Sequence, residues 1–289
     1  MRRAVAVALA VVLAVALGAC GSSADRGSGG TGAPAVAAFF PIAATLRGLG
    51  GPGFRVRDLT PPGVEPHDLE LTTADMDGIL DAPLVVVMGK GFQPTIERAA
   101  SHRDHGTVFV LDHLRAGSDP HVWLDPMTMR RVVALLAAAM EHGYPDRRGE
   151  IRLRQRRLDA QLQALDREYR AGLDPCGRSV IVTAHAAFGR LAARYGLRQH
   201  AIAGMSPEQE PDPRRLADLA DLVKRDGVTT VFTERLVSPR VAEALAREAN
   251  VRTAVLDPIE SPRAATTFVG YVAAMRRNLS VLRAALACP

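Results

Sequence analysis

Three histidines and one aspartate sit where predicted strands end or helices begin. His67 closes Pro61-Pro62-Gly63-Val64-Glu65-Pro66-His67-Asp68, and His121 lies within Ser118-Asp119-Pro120-His121-Val122-Trp123-Leu124-Asp125-Pro126. His185 follows Val182-Thr183-Ala184, and Asp257 stands in Val255-Leu256-Asp257-Pro258. Three neutral imidazoles and one carboxylate form a complete shell for a tetrahedral transition metal, zinc above all. Two of the four fall in each half of the chain, which predicts a metal gripped between two lobes.

Taken singly, each residue has a plainer reading. A histidine at a loop is more often structural than ligating, and Asp257 before a proline fits a turn carboxylate. Local context favours the ligand reading. Pro66 and Pro120 stiffen the backbone ahead of His67 and His121, and a rigid, partly buried loop holds an imidazole in one orientation. Of the other histidines, His102, His105, His142 and His200 stand in polar or helix-end contexts, whereas His113 lies on the approach to His121. Glu65 and Glu234 fall near the same cleft. Either could orient an imidazole N–H from behind, or equally be a surface acid or helix-cap partner.

The elements that must position these residues alternate along the chain. Strands are predicted at 36–40, 54–59, 84–88, 107–111, 180–183, 199–203, 228–232 and 251–256. Between them lie helices beginning at Pro41, Thr72 or Thr73, Pro94, Met127, Ala186, Pro213, Ser238 (as N-cap) and Thr266. A long proline-free segment from Arg148 to about Gly172 carries Ile151, Leu158, Leu162 and Leu165 at helical spacing, with a face dense in arginine that reads as solvated. Strand–helix alternation implies mostly parallel sheets, whose ligands bind at the carboxyl ends of strands. The expected fold is α/β: two mostly parallel-sheet lobes joined by a long rigid helix, with the metal site in the cleft between them. The boundaries expected are 34–146 and 173–289 for the lobes and 147–172 for the linking helix. A body of roughly 255 residues suffices for one large domain or for two lobes, each with its own core.

The N-terminus reads as an export signal, residues 1–19. Arg2 and Arg3 precede an apolar run of Ala, Val and Leu that is too short for a comfortable membrane span. Leu17-Gly18-Ala19-Cys20 resembles a bacterial lipobox, so Cys20 is expected to carry lipid. Residues 20–33, rich in Gly and Ser, then form a flexible tether. The formal charge of +5 falls by two once the signal leaves. That is too little to argue for nucleic acid, and aromatic residues are scarce. Of three cysteines, Cys176 and Cys288 remain as a pair in an oxidising setting; they are read as a disulfide, the alternative being two buried thiols.

As an ordered set, these segments resemble the substrate-binding lipoproteins of zinc and manganese ABC importers. The resemblance extends over nearly all of the chain beyond the tether. It includes Pro66-His67-Asp68-Leu69-Glu70, the segment around His121, His185-Ala186-Ala187-Phe188 with Tyr195-Gly196-Leu197, Ser206-Pro207-Glu208-Gln209-Glu210-Pro211, Val231-Phe232-Thr233-Glu234 and Leu256-Asp257-Pro258. It implies His67, His121, His185 and Asp257 as ligands of a transported ion. It also implies a membrane permease and its ATPase as partners, and a monomer lipid-anchored to the outer face of the cell membrane. Members specialised for manganese often have Glu where this chain has His185, so Zn2+ is expected ahead of Mn2+. Several zinc members carry a long His/Asp/Glu-rich loop before the second ligand; here only Asp112 to Ser118 stand in its place, which leaves room for manganese. The chain has no GxxxxGK[ST] loop, HExxH or GxSxG, so neither an ATPase nor a hydrolase is expected. A zinc hydrolase with Asp257 as base and a lipid-anchored adhesin with a structural metal are the rival readings.

Overall fold

A computed structural model describes residues 35–114, 117–208, 212–262 and 266–289. The signal, Cys20 and the tether lie outside the described residues. No helix among those described is long and apolar enough to cross a membrane.

Two four-stranded sheets carry the chain. The first contains β1 (Ala35–Ala37), β2 (Val56–Asp58), β3 (Leu84–Val87) and β4 (Thr107–Phe109), in the order β2-β1-β3-β4. The second contains β5 (Val180–Thr183), β6 (Arg198–Ala201), β7 (Thr230–Thr233) and β8 (Arg252–Val255), in the order β6-β5-β7-β8. Every pairing is parallel. All residues of β1, β3, β5 and β7 are buried, as expected where helices cover both faces of a sheet.

The helices begin where local chemistry satisfies their free N–H groups. Thr72 and Asp75 form a reciprocal capping box at α2 (Thr73–Asp81). Asp125 caps α4 (Pro126–Gly143), with Pro126 in its first turn. At α8 (Arg240–Ala249) the expected N-cap, Ser238, moves by one residue: Pro239 occupies it without a side-chain bond, and its carbonyl accepts from Glu243 N at 2.9 Å. The remaining helices are α1 (Phe40–Gly50), α3 (Pro94–Ser101), α5 (Arg148–Leu173), α6 (Gly189–Arg194), α7 (Pro213–Arg225) and α9 (Phe268–Leu286).

Helix α5 buries Ile151, Leu158, Leu162, Leu165, Tyr169 and Leu173 along one stripe. On its other face Arg152 reaches Glu141 and Arg154 reaches Glu150, exposed pairs worth little individually. Helix α9 returns to pack on α1 and α5, and the Tyr169 hydroxyl donates to the Met275 carbonyl at 2.7 Å. The core is therefore not divided into one per half. A large cluster includes Val86, Trp123, Leu162, Phe188 and Tyr271, and only a smaller one, including Val182, Val223, Val231 and Leu245, belongs to the second sheet alone. Two helices with long apolar stripes, α5 and α9, join what strand alternation alone would divide. Cys176 and Cys288 are bonded, tying the end of α9 to the segment entering β5.

Candidate metal centre

All four groups that meet at the centre come from carboxyl ends of strands. His67 lies on the loop beyond β2. Its neighbour Pro66 is fixed by Gln93, whose amide donates to the Pro66 carbonyl at 3.0 Å, and the Phe92 ring meets the His67 ring edge-on at 4.5 Å between centroids. His121 enters a 3-10 turn, Val122–Leu124, whose three side chains are all buried. His185 follows β5 directly, and its carbonyl accepts from Thr183 Oγ1 at 2.7 Å and Gln199 Nε2 at 3.0 Å. His121 and His185 are both completely buried.

The fourth group is Glu260. Its Oε1 lies 3.7 Å from His67 Nε2, 3.8 Å from His121 Nε2 and 3.9 Å from His185 Nε2. The Nε2 atoms of His121 and His185 are 3.4 Å apart. All four ligand atoms fall within 4.8 Å of one another. Bonds of about 2.0–2.1 Å to a tetrahedral ion set ligand atoms about 3.3–3.4 Å apart, so a small contraction completes the shell.

The buried imidazoles are braced from behind. His121 Nδ1 donates to Asp119 Oδ1 at 2.9 Å, and the His121 backbone N–H reaches the same oxygen. His185 Nδ1 donates to Glu234 Oε2 at 2.7 Å, while Glu234 Oε1 takes the His185 backbone N–H at 3.0 Å. A proton held on Nδ1 leaves the Nε2 lone pair directed inward, which fixes the tautomer a metal needs. Glu260 is 1% exposed, and neither of its carboxylate oxygens has a hydrogen-bond partner. A buried carboxylate without hydrogen bonds is costly unless a cation or proton meets it.

The family described as "Zinc-uptake complex component A periplasmic" matches residues 35–285. The chain belongs to that family. Zinc-binding lipoprotein AdcA of Streptococcus pneumoniae is 31% identical over 273 residues, covering 86% of this chain and 54% of that protein. This chain thus spans about half the length of the AdcA relatives it matches. High-affinity zinc uptake system protein ZnuA of Bacillus subtilis is 32% identical, with 93% of each chain covered. Among solved structures, the laminin binding protein Lmb of Streptococcus agalactiae, described as a bifunctional protein with adhesin and metal transporting activity, superposes with a TM-score of 0.82. It is 29% identical and covers 88% of this chain and all of that one. The Zn(II)-bound ZnuA-like domain of S. pneumoniae AdcA gives 0.76 at 31% identity, covering 88% of this chain and 99% of that domain.

Within this zinc-uptake family member, the sequence-predicted ligands divide three to one. His67, His121 and His185 converge; Asp257 does not join them, and Glu260 takes the fourth place. The Asp257 carboxylate is engaged locally: Oδ1 accepts from Ile259 N at 2.9 Å, and Oδ2 lies 3.3 Å from Arg235 Nη1. Ile259 then adopts φ +63°, a left-handed conformation unusual for a β-branched residue. That reversal carries Glu260 into the centre. Asn278 holds the turn at both the N–H and the carbonyl of Asp257, and Trp123 Nε1 donates to the Pro258 carbonyl at 2.7 Å.

Glu234 accepts from His185 Nδ1, and Asp119, which is not among the sequence-predicted candidates, makes an equivalent contact to His121. Its position two residues before His121, ahead of a proline, was the available signal. Glu260 is the second acid of the buried run Leu256 to Ser261, and its sequence context alone does not set it apart from Asp257. Glu65 lies close by, its Oε1 accepting from the His67 N–H at 3.2 Å. His113 is exposed and stands outside the cluster, as do His102, His105, His142 and His200.

The electrostatics divide the centre. Burial lowers the His121 pKa to about 4 despite its bond to Asp119, and burial lowers His67 as well. Burial also pulls His185 down, but the hydrogen bond to Glu234 and the charges of Glu234, Glu260 and Glu65 outweigh it and raise the pKa to about 9. Burial raises Glu260 to about 8, with His185 opposing the rise.

Proposed function

We propose that this protein captures Zn2+ outside the cytoplasm and delivers it to the permease of an ABC importer driven by a separate ATPase. The observation that carries the reading is Glu260: a buried carboxylate, with no hydrogen bond, facing three imidazole nitrogens at 3.7–3.9 Å. With His67, His121, His185 and Glu260 as ligands the tetrahedral shell is closed. No position is left for an activated water, so the site binds rather than catalyses. Zinc is favoured over manganese by the three imidazoles, and the zinc-binding descriptions of AdcA and ZnuA agree. In this reading Cys20 carries the lipid that anchors a monomer at the outer membrane face, as the lipoprotein description of AdcA suggests. The 34–146 and 173–289 segments act as two arms about the 147–172 helix.

The test is metal content by mass spectrometry on protein starting at residue 21, stripped of metal and then offered equal Zn2+ and Mn2+. One zinc per chain, held less tightly by Glu260→Gln in competition with a chelator, supports the proposal. Preferential manganese would move the cargo and keep the site. No stoichiometric metal would overturn it.

A further inference from the structure

The His67 nitrogen that faces the centre meets two carboxylates rather than one. Glu260 Oε1 lies 3.7 Å from Nε2 and Glu65 Oε1 lies 3.9 Å from it, Glu65 standing just outside the four-residue cluster. The Glu65 side chain is only 12% exposed, and its Oε2 is buried without a hydrogen-bond partner. The hydrogen bond from the His67 N–H accounts for Oε1 alone. The buried second oxygen is unexplained by the loop it sits in.

Three neutral imidazoles and Glu260 put one carboxylate in direct contact with a divalent ion, while Asp119 and Glu234 are occupied behind their imidazoles. Glu65 is the further carboxylate beside His67, with one oxygen that no protein group meets. A tetrahedral zinc ion needs only four ligands, whereas Mn2+ favours oxygen donors and higher coordination numbers. Its loop is also the more exposed part of the centre: Pro61, Pro62, Gly63 and Val64 are all exposed.

Building on the capture reading, we propose that Glu65 is a fifth, oxygen ligand in reserve. Zinc is held by the three histidines and Glu260, with Glu65 beside the shell as a compensating charge. A larger, harder divalent ion draws Glu65 into the shell. Glu65 thereby sets how wide a range of cations the protein accepts. Gly63 N–H donates to Ser261 Oγ at 2.7 Å, so the Glu65 loop is tied directly to the segment bearing Glu260, and the two carboxylates can adjust together.

Glu65→Gln is the discriminating variant, because the amide oxygen can still accept the His67 N–H while the charge and the strong donor are lost. Zn2+ and Mn2+ affinities are measured by competition with a chromophoric chelator on otherwise intact protein. Co2+ absorption and Mn2+ electron paramagnetic resonance report the coordination number. The expected result is a loss of ~10-fold or more in Mn2+ affinity with less than ~3-fold in Zn2+, the scale on which a ligand-type change moves selectivity. The Mn2+ resonance should change in the variant, and Glu65→Asp should restore part of the Mn2+ affinity. Equal losses for both ions, or unchanged Mn2+ affinity and resonance, would overturn the proposal and leave Glu65 as a loop brace. Failure of the wild-type protein to bind either ion would instead overturn the capture reading itself.

Discussion

The two sheets share one strand order, yet they present their ligands in opposite states of readiness. In the first half, His67 and His121 lie beyond the two edge strands, and burial holds both imidazoles toward the neutral form. In the second half, His185 follows a central strand and Glu260 an edge strand, and both are pushed toward holding protons near neutral pH. The first half offers lone pairs; the second must release protons before it can bind. One architecture, used twice, thus yields a preformed pair and a proton-competed pair. At His185 the cause is the bond to Glu234 with the charges of Glu234, Glu260 and Glu65, and at Glu260 it is burial.

The largest break in this comparison comes from deleting a buried imidazole. His121→Ala and His185→Ala should each weaken zinc binding by roughly 1,000-fold, about 4 kcal/mol, in chelator competition. Loss from one half alone would mean that the halves do not share an ion. Next is the fourth ligand. Glu260→Gln should cost roughly 100-fold in affinity, about 2.7 kcal/mol, while Asp257→Asn, which keeps an acceptor for Ile259 N–H, should stay within about 5-fold. The reverse ranking would restore Asp257 to the shell.

The pH dependence sharpens the contrast. A raised pKa favours the protonated imidazole, and a metal needs it deprotonated, so protons compete below about pH 9 at His185. Zinc affinity should therefore climb from pH 6 to pH 9, approaching ~10-fold per unit for each proton displaced. Glu234→Gln, which removes the main cause of the raised pKa, should flatten the climb above pH 7 while weakening binding by ~10–100-fold through the lost orienting bond. A wild-type profile already flat above pH 7 would show that the second half is as ready as the first. The smallest effect is expected at His113→Ala, within about 2-fold, since its side chain is exposed and outside the cluster.

Much of this was legible in sequence because the signals were local. Helices α3 and α7 begin at Pro94 and Pro213, where the sequence places them, since a proline fits the first turn of a helix. The three histidines stood out because each follows an apolar strand or a proline. Glu260 did not, because the turn that delivers it depends on a left-handed isoleucine, and the support for that turn comes from Asn278 and Trp123, residues distant in sequence. The extension of the larger core across both halves was hidden for a similar reason. The stripe on α9 reads as amphipathic, but nothing in its spacing says that it packs across the molecule on α1.

That return of α9 has a consequence for the order in which the chain can acquire structure. Phe268, Tyr271 and Met275 belong to the same core as Phe39, Val86 and Trp123, and the Tyr271 hydroxyl donates to the Trp123 carbonyl. During synthesis the N-terminal half emerges first, but it lacks part of its own interior until α9 has been made. Completion of the first half's core therefore waits for the helix that follows the second sheet.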